Sequence, residues 1–291
     1  MQKILSNRAV WYIAPTVLLF SSFIVLIYSG NIHFSWSAIQ DGFNSDFGFY
    51  VLVGLGAQLV DGTLGMAYGV TSTSFLLSLG VPPAVSSTSV HVAEMFTTGA
   101  SAISHFKFGN INKKLFRNLL IPGVLGSITG AYLLADFIDG NVIKPYISIY
   151  MIILGIIIIR KALQKNIVKQ RTKRLGLLAV FGGFMDSIGG GGWGPIVTSS
   201  LLGRGRDPRY TIGSVNAAEF AVSFASGITF LLFEGVNSWQ VVLGLIVGGT
   251  VASPLGAIFV NKVKRKPMMI LVGTLVIIIS LRTIIKGFHL I

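Results

Sequence analysis

One segment of this chain occurs twice. Residues 61–101 align with residues 186–226 at a constant shift of 125 positions and without a gap, and fifteen of the forty-one positions are identical. The shared residues include an aspartate, several glycines, a proline and a glutamate. Such duplication in an apolar chain is typical of transporters built from two related halves, with the binding site where the halves meet.

The composition indicates a bilayer rather than water as the solvent. Of 291 residues, 52% are hydrophobic and 11% are charged, and the apolar runs are too many and too long for a soluble core of this size. Seven runs have about the length of a full membrane span: 10–29, 84–106, 115–135, 142–159, 210–233, 238–259 and 267–285. We therefore predict an all-α polytopic membrane protein. Its first span resembles a signal peptide, but no small-residue cleavage site closes it, so we interpret it as a retained N-terminal transmembrane helix.

The net charge of +13 does not indicate a nucleic-acid partner, because the cations lie in loops. Twenty of the 23 lysines and arginines belong to five clusters, at 3–8, 107–117, 160–174, 204–209 and 262–266. The positive-inside rule then predicts an inner-membrane protein with a cytoplasmic N-terminus and an outside C-terminus. The chain has no cysteine, which excludes disulfides and thiol chemistry.

Each copy of the repeat begins with two short apolar arms joined by a glycine-containing break. The arms are 47–60 and 66–80 in the first copy, and 175–188 and 192–203 in the second. Each pair predicts a broken or re-entrant hairpin, followed by three full spans. An odd number of crossings per copy gives the two repeats inverted topology. The predicted units are an N-terminal helix and outer loop (1–46), a first repeat (47–160), a basic cytoplasmic linker (161–174) and a second, inverted repeat (175–291).

The two breaks are the leading candidates for a substrate site, because unwound backbone at membrane depth is tolerated only in protein or beside a wet cavity. Glycine amides, free N–H groups at helix starts and nearby hydroxyls could replace the water around a small oxyanion. The predicted substrate-binding residues are Gly65, Gly69, Thr71, Ser72, Thr73, Ser74, Gly190, Gly191, Gly192, Trp193, Gly194, Thr198 and Ser199, with His91 and Asn216 as further donors. For Trp193, packing of the hairpin is an open alternative.

Four carboxyl groups lie in apolar surroundings: Asp61, Glu94, Asp186 and Glu219. Intramembrane acids are costly and usually serve a function. We predict that they handle a coupling proton or Na⁺, with Glu94 and Glu219 foremost. Capping of exposed backbone N–H groups is the alternative for the two aspartates. His91 is one helical turn from Glu94, but no further histidines cluster with it, so we predict no metal site and no cofactor.

The repeated motifs resemble those of the sulfite exporter (TauE/SafE) family of membrane transporters. The motifs are DGTLGMAYG...SLGVPPAVSSTSVHVAE (61–94) and DSIGGGGWGP...GRGRDPRYTIGSVNAAE (186–219), followed by PGVLGSITGA (122–131) and GGTVASPLGA (248–257). The resemblance covers about residues 47–285. It implies transport of a sulfur-containing anion such as sulfite or an organosulfonate, driven by an ion gradient.

The lead prediction is thus a secondary anion transporter, not an enzyme, with a small anion and the lipid bilayer as its partners. Two alternatives stay open: an intramembrane metalloenzyme that uses His91, Glu94 and Glu219, and an anion channel. The sequence leaves the identity of the anion, the direction of transport and the oligomeric state undetermined.

Overall fold

The structure is a computed structural model that describes residues 46–64, 66–107, 109–164, 172, 174–233, 238–259 and 265–287. The predicted N-terminal span, its outer loop and most of the basic linker therefore lie outside the described residues. Every regular element of the described residues is helical. The all-α prediction is confirmed.

The first half contains five helices, and their bounds differ from the predicted ones by a few residues. They are α1 (Phe47–Leu64), α2 (Tyr68–Ser78), α3 (Pro83–Lys107), α4 (Lys113–Tyr132) and α5 (Gly140–Leu163), with a π-helical turn at Leu133–Phe137 after α4. The first break is shorter than predicted because α1 continues past Asp61 to Leu64. Asp61 thus lies in the last turn of α1, a few residues before the break.

The second half repeats this order. It consists of α6 (Leu175–Gly189), a π-helical turn at Gly194–Thr198, α7 (Ser199–Leu202), α8 (Pro208–Phe233), α9 (Trp239–Phe259) and α10 (Arg265–Gly287). Gly190 ends α6 in the left-handed region, at φ +69°, which a residue without a Cβ adopts at little cost. The second break is therefore centred on Gly190–Trp193, with the second arm starting as a π-helical turn.

Four helices of the described residues are long and apolar enough to cross a membrane: Lys113–Phe137, Gly140–Leu163, Arg209–Phe233 and Lys266–Lys286. They match four of the seven predicted spans. The predicted span 84–106 forms the 25-residue helix α3, which has the length but carries many buried polar side chains. The predicted span 238–259 forms the 21-residue helix α9, which includes the apolar stretch Trp239–Ala252. The arms Phe47–Asp61 and Leu175–Gly189 are short and apolar.

Large apolar side chains are exposed on the outer faces of the helices. Examples are Ile121, Leu125, Ile153, Leu271 and Ile278. Exposed apolar surface is stable in hydrocarbon but is a liability in water. The polar residues lie inside instead, so the molecule is apolar outside and partly polar at its centre.

The helices of one half pack mainly on helices of the other. α1 packs along α9 and α4 along α6; α3 packs against α8 and α5 against α10. Glycines allow this close approach: a Cβ placed on Gly54 of α1 would lie 2.6 Å from the carbonyl oxygen of Leu245 in α9. Likewise a Cβ on Gly130 of α4 would lie 2.5 Å from the carbonyl oxygen of Phe184 in α6. Small residues at helix crossings are the usual means of tight packing in membranes.

Candidate functional site

The two helix breaks cross each other at the centre of the bundle. A Cβ placed on Gly69 would lie 2.8 Å from the Cα of Gly191, and one on Gly194 would lie 2.6 Å from the Cα of Met66. In the sequence repeat, Met66 matches Gly191 and Gly69 matches Gly194. The two contacts are therefore reciprocal, each joining the same pair of repeat positions in opposite order.

Both aspartates cap the break that follows them. Asp61 Oδ1 accepts hydrogen bonds from the backbone N–H groups of Ala67, at 2.8 Å, and Tyr68, at 3.4 Å. Asp186 Oδ1 accepts one from the N–H of Trp193, at 2.8 Å. The first N–H groups of a helix lack intrahelical partners, so these carboxylates satisfy donors that an external anion could otherwise use.

Asp186 also contacts His91, which lies in the opposite half of the molecule. The distance from His91 Nε2 to Asp186 Oδ2 is 3.2 Å, and that from His91 Nδ1 to the carbonyl oxygen of Ser87 is 2.8 Å. The His91 side chain is fully buried. Ser87 in turn donates its hydroxyl to the carbonyl oxygen of Ser187, at 2.6 Å. α3 and α6 are thus joined by two polar contacts, His91–Asp186 and Ser87–Ser187.

Glu94 completes a compact group with this pair. One nitrogen or oxygen from each of His91, Glu94 and Asp186 lies within 4.8 Å of the others, close enough to hold a metal ion. Each of the three already has a partner in the protein, since Glu94 Oε2 accepts a hydrogen bond from Ser223 Oγ at 3.0 Å. The residue that joins His91 and Glu94 is Asp186, not Glu219.

Glu219 and Asp61 lie within electrostatic range of Glu94. All four acids predicted from the sequence are thus brought together around the crossing of the breaks. A site of this charge attracts cations and repels an anion unless protons or other cations are bound with it.

Several predicted substrate-binding hydroxyls are buried beside the breaks. Among the described residues, Thr71, Ser72, Ser74 and Thr198 have a side-chain oxygen without a hydrogen-bond partner. Thr73 is different, because it donates to the carbonyl oxygen of Gly190 across the two halves. Ser199 Oγ lies 3.6 Å from the sulfur of Met66. Gly65 lies outside the described residues.

Trp193 packs between helices. Its ring is fully buried, a Cβ on Gly123 would lie 2.6 Å from it, and its indole N–H donates to the carbonyl oxygen of Val215 at 3.3 Å. Tyr68, at the matching position, contacts the carbonyl oxygen of Leu245 at 3.3 Å in the same manner. The polar atom of each aromatic side chain thus has a protein partner.

The two further donors predicted from the sequence, His91 and Asn216, differ in their contacts. Asn216 donates its side-chain amide to Ser101 Oγ at 3.1 Å. Its side-chain oxygen is buried and, within the described part of the chain, has no partner.

Tyr150 is a central residue that the sequence reasoning missed. Its hydroxyl is buried without a hydrogen-bond partner among the described residues, it adjoins the space beside Gly192, and it is an electrostatic neighbour of Asp186. The available signal was a lone tyrosine in the apolar run ISIYMIILG. A single aromatic residue in such a run is common, so this signal is weak.

Comparison with known proteins places the chain among membrane transporters. Residues 50–283 match the model of the family described as "Sulfite exporter TauE/SafE". A relative from Bacillus subtilis (strain 168), described as "Probable membrane transporter protein YtnM", is 45% identical over 248 residues, which cover 81% of this chain and 82% of the relative. No solved structure matches the chain.

Proposed function

The chain belongs to the sulfite exporter TauE/SafE family, and from that membership we propose that it is a secondary active transporter for a small sulfur-containing oxyanion. It moves sulfite or an organosulfonate by alternating access and takes its driving force from an ion gradient. It acts as a transporter and not as an enzyme. The substrate class rests on the family's description, whereas the mechanism rests on the helix breaks.

The observation that carries the proposal is the reciprocal crossing of the two breaks. Gly69 contacts Gly191, and the residues that match them in the repeat, Gly194 and Met66, contact each other. An approximate two-fold axis between the halves requires such paired contacts. The same relation holds for helices: α1 packs on α9, and their counterparts in the other half, α6 and α4, pack on each other. An axis in the membrane plane makes the repeats inverted, which agrees with the distribution of loop charges. Two such halves can then open in turn to opposite sides of the membrane.

The oxyanion binds where the breaks cross. Buried hydroxyls without a partner, on Thr71, Ser72, Ser74 and Thr198, can donate to it, and a buried donor gains most from being satisfied. The glycines let the backbones of the two breaks approach each other closely. The four nearby carboxyl groups oppose an anion, so a cation must bind with it, and this supports coupling to a proton or Na⁺ gradient.

The membrane placement follows the loop charges. The protein lies in the cytoplasmic membrane with its N-terminus inside and its C-terminus outside, and the basic loop 160–174 is cytoplasmic. Lys113, Lys114, Arg204 and Arg209 then lie on the inner side as well.

Ligand stabilisation of the purified protein tests the substrate class. Thermal unfolding is measured in detergent with sulfite, sulfate, methanesulfonate, isethionate and acetate at equal ionic strength. A ligand at 100 times its Kd stabilises by about 2.7 kcal/mol, so sulfonates or sulfite should raise the unfolding temperature and acetate should not. Proteoliposomes then separate the mechanisms: saturable, gradient-driven uptake supports a transporter, and unsaturable flux without accumulation indicates a channel. Absence of both stabilisation and flux for every sulfur anion contradicts the proposal.

A further inference from the structure

The contacts of His91 fix where its protons lie. A carbonyl oxygen can only accept, so the nitrogen 2.8 Å from Ser87 O, Nδ1, carries a proton. Nε2 faces Asp186 Oδ2 at 3.2 Å. Without a proton between them, two lone pairs would face each other in a dry interior, which is unfavourable. The pair therefore holds one proton, either as imidazolium with carboxylate or as imidazole with carboxylic acid.

This proton lies between the two halves of the molecule. His91 belongs to α3 of the first half and Asp186 to α6 of the second. Asp186 Oδ1 is tied to the second break through Trp193 N–H, so a movement of that break away from α3 would lengthen the contact. Once the pair separates and is wet, the proton can leave to water. His91 then keeps its Nδ1 proton as a neutral imidazole.

The repeat provides this titratable pair only once. The residue that matches His91 in the second half is Asn216, which donates to Ser101 and cannot take up a proton. An amide can replace the hydrogen bond of a histidine but not its titration. The near-symmetric frame therefore carries one asymmetric proton site.

We propose that the proton shared by His91 and Asp186 is the coupling ion, so that the transporter is an anion–proton symporter that does not need Na⁺. This deepens the proposed function and rests on it. The proton reduces the negative charge at the crossing of the breaks by one, so the anion and the proton each favour binding of the other.

The surroundings make this charge change matter. The titratable groups that act on the pair and on Glu94 come from several helices: Asp61 of α1, Tyr68 of α2, Glu94 of α3, Tyr150 of α5 and Glu219 of α8. Within the described residues, no lysine or arginine is among the groups that act on His91, Glu94 or Glu219. Bound cations, of which the proton shared by His91 and Asp186 is one, must therefore offset the carboxylates.

Uptake of labelled methanesulfonate into proteoliposomes tests the proposal, because this anion does not change its charge between about pH 5 and pH 8, the range in which histidine titrates. For the unmodified protein we expect about tenfold accumulation per pH unit of gradient, since one proton then drives one anion. His91→Asn introduces the residue that the second half has at the matching position. This variant should still exchange methanesulfonate across the membrane, but the ratio of internal to external concentration should fall to about one. His105→Asn, the same substitution near the end of the same helix, is the matched control and should keep the tenfold value.

Accumulation by His91→Asn that still follows the pH gradient would overturn the proton site while leaving the transporter proposal intact. Accumulation driven by Na⁺ in the unmodified protein, or a stoichiometric bound metal, would also overturn it. If His91→Asn does not insert, His91→Gln places an amide nearer the position of Nε2 and takes its place.

A measurement without transport covers the case in which methanesulfonate is not carried. In a protein with His33→Gln, His105→Gln and His289→Gln, ¹⁵N NMR reports on the remaining ring of His91. We expect a permanent proton on Nδ1 and one that leaves Nε2 as the pH rises. A ring with the same protons throughout the pH range of the folded protein contradicts the proposal.

Discussion

The four acids at the centre occupy matching sequence positions but have different contacts. Asp61 caps its own break, whereas Asp186 caps the other and also pairs with His91. Glu94 accepts from Ser223. Whether an acid caps, pairs or couples is thus decided by its partners from other helices. The repeat predicted that these acids matter, but it could not predict that Asp186 rather than Glu219 would join His91, because that contact depends on how the halves cross.

The contact of Gly69 with Gly191 predicts a cost for even one methyl group. In Gly69→Ala the new Cβ would lie 2.8 Å from Gly191 Cα and 3.0 Å from Glu94 Oε1. Backbone cannot move aside as a side chain can, so we expect about 1–3 kcal/mol of destabilisation. Gly56→Ala is the matched control: nothing lies within 4 Å of its Cβ, so it should be neutral or stabilise by up to about 1 kcal/mol. Thermal unfolding in detergent measures both, and equal stability of the two variants would argue against the crossing.

Replacing Glu94 tests the electrostatic balance at the site. Glu94→Gln removes an ionisable carboxyl group beside the His91–Asp186 pair and keeps an acceptor for Ser223. We expect methanesulfonate to bind more tightly at about pH 8 and its affinity to depend less on pH. Glu219→Gln should have a smaller effect, because Glu219 is not part of the compact group. Isothermal titration at several pH values measures the change. An unchanged pH profile in Glu94→Gln would make Glu94 a structural residue.

The sequence predicted which helices form, and in what order, better than it predicted the residues at which they end. The apolar runs gave nine of the ten described helices within a few residues, because length and hydropathy decide what lies in the membrane. The exception is α7 (Ser199–Leu202), which is shorter than its predicted arm, 192–203, because a π-helical turn precedes it. The end of α1 was missed because Asp61 reaches forward to the N–H groups of Ala67 and Tyr68, which lets the helix continue past it. The π-helical turn at Gly194–Thr198 had no sequence signal beyond glycine and proline. Local patterns do not encode contacts between distant segments.

The close approach of the breaks predicts that a disulfide can lock them. A Cβ on Gly194 would lie 2.9 Å from that of Met66. A disulfide needs about 3.8 Å, so the backbones must part by about an ångström. Because the chain has no cysteine, Met66→Cys with Gly194→Cys should form one new bond. If the breaks move during transport, oxidation should abolish uptake and reduction should restore it.

Uptake and labelling of free thiols in the double variant measure this effect. Each single variant is the control, and neither should respond to oxidant. If the cross-linked protein transports as fast as the same protein after reduction of the disulfide, the two breaks stay together throughout the cycle.

At the scale of the whole molecule, the two halves interlock rather than stand side by side. α1 and α3 of the first half both pack on α9 of the second, and α6 and α8 of the second both pack on α4. The repeat in the sequence predicts two similar units, but it does not indicate that each completes the packing of the other. The halves should therefore depend on each other for folding, since neither can bury its glycine faces alone.

The proposed transport mechanism depends on membrane topology, because it requires the two halves to have opposite orientations in the bilayer. The proposed topology puts the end of α5, the start of α6 and the basic linker between them on the cytoplasmic side, and the turn between α4 and α5 outside. A cysteine at Gln164 should therefore resist an impermeant maleimide in intact cells and react after permeabilisation. A cysteine at Asn141, an exposed residue in the opposite turn, should react in both. The cysteine-free parent gives the background. Reversal of the two patterns would place the N-terminus outside, whereas labelling of both sites in intact cells would mean that α5 does not cross the membrane and that the halves do not have opposite orientation.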